Sequence, residues 1–372
     1  MKIKLTESQR RRLISEELGV PKSVDFWVGV FTTLVEEALF DVMDSNGGDV
    51  KLDSLSLSGG KVMTRAIDMG WSPDSTGFKE LPLVEPSLDI RLGVAPDDYI
   101  QTGEHYIQNG QFSTENVTLS DITFTNGETT KALMGGAIEL TLTIPEEHLE
   151  TGSLIEFYRL DIKPYVESLF YHELTHVVEY YNRLLGGEEH PGTEVAWMLA
   201  SNSVSSGILA EWDTLTYLIY LHTSFELNAR VVEMHGLIKG FKIKTKEEFI
   251  KFVTTHRIWK KAKELRDFKA QKFYSGVVIP NSLKLEIESR EGSVMSDSEV
   301  KDYAFTALIQ NWGSNYDDVS KSFEDSKGER NSRDLKTSML ESPMGFLKFW
   351  EKRFNRTGED SIRKIGKLYG LL

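Results

Sequence analysis

Phe170-Tyr171-His172-Glu173-Leu174-Thr175-His176-Val177-Val178 is the stretch that decides how the rest of the chain is read. Two histidines four residues apart on a helix differ by about 40° in azimuth and one turn in height, so both imidazoles can reach one tetrahedral metal ion. Glu173 follows His172 directly, which sets its carboxylate beside such an ion rather than on it. There it can take a proton from a metal-activated water and pass it to a leaving amine, as metal-assisted amide hydrolysis requires. The flanks predict the helix. Pro164 stands near its start, Val166, Leu169, Phe170, Leu174, Val177 and Val178 give it a buried stripe, and Gly186 ends it. His-Glu-x-x-His arises by chance in roughly one chain in 60 of this composition, so the helical context carries the discrimination. The competing expectation is a buried helix whose histidines bond each other or the backbone.

Composition narrows the ligands further. The 372 residues include no cysteine, which excludes disulfides, thiolate-bound zinc, iron–sulfur clusters and a thiol nucleophile, and any metal must sit on His, Asp or Glu. A hydrophobic content of 40% is ample for a large core, and the length allows two or three domains. With 57 acidic against 43 basic residues the net charge is −14, and the bulk field would repel nucleic acid and anionic membrane; neither is expected as a partner. The opening Met1-Lys-Ile-Lys-Leu-Thr-Glu-Ser-Gln-Arg-Arg-Arg12 carries charge where a secretory signal needs an apolar run, and no window approaches the roughly 20 apolar residues of a spanning helix. The expectation is a cytoplasmic protein, not secreted by a signal peptide.

The chain reads as four stretches: a basic helix and docking segment at 1–20, a helix followed by a β-rich part at 21–150, a helical part carrying the chemistry at 151–275, and a helical C-terminal region at 276–372. Thr6 and Gln9 predict a capped helix over 6–18, and apolar spacing predicts another over 23–44. Strand-prone runs follow at Leu81–Leu92, Val117–Phe124 and Ala137–Ile144. Asp44-Ser-Asn-Gly-Gly-Asp49 has a trace of calcium-loop spacing without the closing Glu and is expected to be a turn. Beyond 186 come one long helix over about 206–238, a helix opening at the Thr245–Glu248 capping box, a strand-like Val277–Glu288, and helices near 298–311 and 343–371, the last rich in Phe, Trp and Lys.

Across residues 137–235 the sequence resembles the zincin metallopeptidases. The resemblance implies an α+β fold with a small mixed or antiparallel sheet, an edge strand before the active-site helix to which a substrate peptide adds, and a mainly helical part after it. Ala137–Ile144 is the strand placed to be that edge. It also implies Zn²⁺ as cofactor, His172 and His176 as ligands, Glu173 as the catalytic acid and base, and a third protein ligand that leaves the fourth position to water.

The metzincin continuation would need Gly and His where this chain has Glu179 and Asn182, and Gly192-Thr193 is not followed by the Asp-type pattern. A glutamate on a later helix remains. Glu226, in Ser224-Phe-Glu-Leu-Asn-Ala-Arg230, resembles the third ligand of Glu-type zincins, including small phage-encoded peptidases, where a small Ala lets two helices approach. The 50 residues between His176 and Glu226 depart from the compact thermolysin spacing. Other readings stay open: Glu226 as a core acid paired with Arg230 four residues on, or His222, Glu211, Asp213, Glu189 or His190 as the ligand. The group that stabilises a developing oxyanion, or orients a ligand, is sought among His222, Arg230, Tyr220, Tyr217 and His235.

The expected function is a zinc-dependent metallopeptidase acting on a peptide or protein substrate. A second expectation, from another class, is a non-catalytic structural or assembly protein that keeps a zincin-like scaffold. Its opening resembles proteins of large tailed phages, so its partner would be a virion or assembly component docked through the N- and C-terminal helices, and its location the host cytoplasm or the virion.

Overall fold

Val24, Trp27, Val28, Phe31, Val35, Ala38 and Leu39 recur at helical spacing and are all buried, which makes Lys22–Ser45 (α1) an amphipathic helix laid on a core. The computed structural model describes residues 22–45, 62–66, 81–84, 86–95, 103–113, 117–123, 127–150, 153–186, 200–201, 209–324 and 342–369. The expected helix at 6–18 and most of the Asp44–Asp49 turn lie outside them. The chain divides into two units, one drawn from 1–187, 228–252 and 367–372, the other from 188–227 and 253–366. Among the described residues, no helix is long and apolar enough to cross a membrane.

The first unit is mixed α and β. Its strands are Val62–Ala66 (β1), Leu83–Val84 (β2), Ser87–Ala95 (β3), Ile107–Ser113 (β4), Thr118–Thr123 (β5), Thr129–Met134 (β6) and Ala137–Pro145 (β7). Four form a sheet in the order β1-β3-β7-β4, and three a smaller one in the order β2-β6-β5. In the larger sheet β3 and β7 are parallel, with Leu88 beside Ile138, Ile90 beside Leu140 and Leu92 beside Leu142. All six side chains are buried on one face, the period-2 signature of a half-covered sheet.

Here one expectation is corrected. Ala137–Ile144 is a strand but not an edge: β7 pairs with β3 on one side and antiparallel with β4 on the other. Pairing on both sides occupies its backbone groups, so no substrate can add to it. The edge beside the helices is β4, and its register shifts at a bulge between Ile107 and Asn109.

A short helix, Leu154–Phe157, runs through a π-helical turn, Tyr158–Ile162, into Lys163–Leu185 (α2), which carries the histidine pair. Pro164 sits in its first turn and Gly186 at its C-cap, as the sequence predicts. Phe31 of α1 packs on Phe170 of α2 at 5.7 Å between ring centres.

The helix expected over 206–238 is broken. Ala210–His222 (α3) ends at Thr223, whose ψ of 132° leaves the helical region, and its hydroxyl and N–H both bond the Tyr220 carbonyl. Ser224–Gly240 (α4) then starts afresh, with Leu227 N–H donating to Thr223 O. A side-chain hydroxyl competing for the backbone is the local cause. Consequently His222 and Glu226 do not share a helix face.

The capping box works as predicted: Glu248 N–H donates to Thr245 Oγ1 at 3.2 Å and Thr245 N–H to Glu248 Oε2 at 3.1 Å, opening Lys246–Thr255 (α5).

The second unit is helical, with Arg257–Asp267 (α6), Ala270–Gly276 (α7), Asn281–Glu291 (α8), Asp297–Glu324 (α9) and Pro343–Leu368 (α10). Its core gathers Trp212, Phe305, Trp312, Phe346, Trp350 and Phe354. The aromatic face of the closing helix α10 is therefore core, and its basic face is the one turned outward. The strand expected over Val277–Glu288 is corrected to helix α8 beyond residue 280. Leu283, Leu285 and Ile287 alternate as a strand would, but Pro280 precedes the first turn and Gly292, at φ 66°, closes the last in the left-handed region. Only Ile287 of the three is fully buried; Leu285 is 67% exposed.

Candidate metal centre

Leu169 and Gly110 set how α2 meets β4. A Cβ on Gly110 would lie 2.1 Å from Leu169 Cδ2, so the Leu169 side chain packs directly over the glycine. One turn on along α2 from Leu169 is Glu173, and two residues on along β4 from Gly110 is Phe112. These steps span about 6.0 and 6.6 Å respectively, so the two residues meet. Phe112 N–H donates to Glu173 Oε2 at 2.9 Å. That N–H is turned out of the β4–β7 ladder, which places the Glu173 carboxylate on the edge of the sheet. Its other oxygen, Oε1, lies 3.9 Å from His172 Nε2.

α2 and α4 cross antiparallel at a second close approach. A Cβ on Gly236 would fall 2.5 Å from Tyr171 Cδ2 and 2.9 Å from Ser168 Cα, and one on Gly240 would fall 2.9 Å from Pro164 Cβ. Glycine rather than the expected Ala229 is thus what brings the helices together, although Ala229 is also fully buried. Moving one turn up α2 from Ser168 and about one turn back along α4 from Gly236 pairs His172 with Glu233. Glu233 Oε2 lies 3.3 Å from His172 Nδ1 and accepts from Arg230 Nη1 at 2.9 Å. Facing a carboxylate with Nδ1 turns the other ring nitrogen, Nε2, toward His176. His172 Nε2 and His176 Nε2 are 3.1 Å apart, with the rings nearly perpendicular at 86°.

Glu226 completes the group. It sits in the first turn of α4, where the helix dipole favours a carboxylate, and is 1% exposed. The ligand atoms of His172, His176 and Glu226 all lie within 4.8 Å of one another. Two tetrahedral zinc ligands at about 2.05 Å from the ion stand about 3.3 Å apart, so the spacing of the two imidazole nitrogens fits a shared ion. Glu173, Glu226 and Glu233 are all buried, and three carboxylates in one low-dielectric site favour a bound cation. The donor set suits a divalent metal. This buried group could hold a metal ion, and nothing in it fixes which one.

The other sequence candidates separate. Arg230 lies on α4 and bonds Glu233, a residue the sequence reading missed. The available signal was a lone acid inside the apolar run Val231-Val232-Glu233-Met234, seven residues after Glu226. His222 belongs to the second unit, where its Nδ1 shares a 2.8 Å hydrogen bond with Thr357 and its ring stands edge-on to Trp350 and Phe354. Burial, and then the nearby Arg353 charge, bring its pKa down to about 4. Tyr220 is also in that unit and stacks on Tyr217. Glu211 accepts Val278 N–H at 3.3 Å, and Glu189 and His190 lie outside the described residues. His235 packs edge-on against Tyr171, whose hydroxyl donates to Asp25 and accepts from Lys239. Burial holds the His235 pKa low and the Tyr171 phenol high, so both stay neutral near pH 7.

The chain matches no protein-family model, no curated protein and no solved structure.

Proposed function

We propose that the chain is a zinc-dependent endopeptidase of zincin type, with His172, His176 and Glu226 holding the ion and Glu173 moving the proton. The observation that carries this reading is the position of Glu173. Its carboxylate is buried, tethered by one oxygen to the edge-strand N–H of Phe112, and beside the histidine pair with the other. A purely structural metal site has no use for a fourth ionisable group held there. When bound, zinc would supply Lewis acidity and lower the pKa of a water toward neutrality.

The chain's own residues supply the rest. Phe112 N–H fixes Glu173 so that Oε1 faces the site, and Oε1 accepts a proton from the attacking water and returns it to the departing amine. Glu233 keeps the His172 ring oriented, and Arg230 holds Glu233 in turn. A substrate peptide would align along the open side of β4, since backbone pairing to an edge delivers a carbonyl without regard to side chain. β4 takes the role that sequence reasoning assigned to Ala137–Ile144.

The test is zinc content by elemental analysis together with cleavage of a peptide library followed by mass spectrometry, on wild type, Glu226→Ala and Glu173→Gln. About one zinc per chain in wild type, much less in Glu226→Ala, and full zinc without cleavage in Glu173→Gln are expected. Cleavage by Glu173→Gln equal to wild type, or a well-folded wild type that takes up no zinc when offered it, would sink the proposal.

A further inference from the structure

The net charge of −14 is unevenly spread. Residues 257–272 hold seven Lys and Arg against two acids, and residues 343–366 six against three. These segments are α6, α7 and α10, and within the second unit they pack side by side. Asn355 Nδ2 donates to the carbonyls of Leu265, Arg266 and Phe268 at 3.1, 2.7 and 3.1 Å. Gly358 lets α10 touch the α6 backbone, where a Cβ would lie 2.3 Å from Arg266 N. Glu351 accepts Ala270 N–H at 3.0 Å. Progress along α10 from 351 to 358 thus runs back from 270 to about 262, and both helices turn their apolar sides into one core.

Their outward sides are cationic. Lys260, Lys263, Lys272, Lys348, Lys352 and Arg356 are exposed and make no ion pair among the described residues. Four of the five acids are paired with other cations of the same segments: Glu264 with Lys261, Asp267 with Arg266, Glu351 with Lys269 and Asp360 with Arg363. Lys348, Lys352 and Arg356 rise one turn apart, about 6 Å each, in a row that winds slowly round the helix. Within a Debye length of about 8 Å the local charge counts for more than the net charge of the whole chain.

We infer that the α6–α7–α10 face binds the sugar–phosphate backbone of a nucleic-acid duplex, without reading bases. A protein partner fits less well, because protein interfaces are depleted in Lys and anchored by apolar side chains. Among the described residues, none of the large exposed apolar side chains lies on α6, α7 or α10. Single strands fit less well for the same reason, as they bind by base stacking on exposed aromatic rings. Phosphate contact by flexible ammonium groups needs neither.

The experiment is fluorescence anisotropy with a labelled 30-base-pair duplex of arbitrary sequence, on the full chain at ionic strengths from about 50 to 200 mM. Wild type should bind with a log–log salt slope of about −4 to −5, and Lys260→Glu, Lys263→Glu, Lys352→Glu and Arg356→Glu combined should weaken binding about 100-fold at the lowest salt. Lys131→Glu with Arg290→Glu, on other surfaces, should leave binding within about twofold. Should the fourfold variant not fold by circular dichroism, Lys260→Gln and Lys352→Gln singly should each reduce the slope by about one. Absence of wild-type binding at low salt, equal weakening by the control pair, or a polyglutamate peptide bound as tightly as the duplex would each overturn the inference.

Discussion

Gly236→Ala sets two physical effects against each other. In a helix interior Ala is better than Gly by about 0.8–1 kcal/mol, so propensity alone predicts a more stable protein. Packing predicts the reverse. The new Cβ would stand 2.5 Å from Tyr171 Cδ2 and 2.9 Å from Ser168 Cα, where ordinary contact begins at 3.4 Å. Tyr171 is pinned by Asp25 and Lys239, and Ser168 Cα is backbone, so neither neighbour can rotate aside. α4 must back away from α2 by about 0.5–1 Å, and overpacking of this kind typically costs about 1–3 kcal/mol. The net expectation is a loss of about 0–2 kcal/mol. The same displacement parts Glu226 and Glu233 from the histidines, and because metal–ligand distances tolerate only about 0.2 Å, zinc affinity should fall about tenfold or more. Denaturant unfolding and zinc titration against a competing chelator measure both. A variant stabilised by about 0.8 kcal/mol with unchanged zinc affinity would refute the close-packed crossing as the device that builds the site.

Two further outcomes follow from single side chains. Glu233→Gln keeps the shape but replaces the carboxylate facing His172 Nδ1, so zinc affinity should drop about 10–100-fold with the fold retained; an unchanged affinity would remove Glu233 from the site. His222 has its pKa lowered to about 4 in the folded state against 6.5 as the ordinary value, so the unfolded chain takes up the proton first on acidification. Its contribution is therefore complete above about pH 6.5 and is lost as pH falls toward 4, about 2–3 kcal/mol by pH 4.5. Urea unfolding at pH 7.5 and 4.5 should show a smaller difference for His222→Gln than for wild type, and equal differences would contradict this account.

What the sequence disclosed was local. Pro164, the apolar stripe and Gly186 marked α2 because start, face and stop of a helix are each written within a few residues. The Thr245–Glu248 box marked α5 for the same reason. Errors arose where a distant partner or a competing bond decides. Strand Ala137–Ile144 was legible as a strand, but its neighbours β3 and β4 come from 87–95 and 107–113, and nothing in its own pattern says whether one side or two are paired. Leu283, Leu285 and Ile287 alternate as a strand does, and the capping glycine at 292 outweighs them. The break at Thr223 turns on one hydroxyl bonding back to Tyr220.

The 50-residue separation of His176 and Glu226 has a structural explanation. Residues 188–227 belong to the second unit and Glu226 stands at the end of that segment, just before the chain returns to the first unit at 228, so the sequence gap measures an excursion rather than a distance in the site. What fixes the site is the register of one helix pair. With Gly240 against Pro164 and Gly236 against Ser168, each further turn up α2 meets a residue about one turn back along α4, which brings Glu233 to His172; one turn on, His176 falls level with about residue 229, and the Glu226 carboxylate reaches the histidine pair from one turn beyond that. A third contact, Gly110 against Leu169, settles where Glu173 meets the sheet. Three glycines on two elements thus place three carboxylates around one histidine pair. A slip of one residue in α4 would turn Glu226, and one in α2 the histidines, by about 100°, so the crossing and the site stand or fall together.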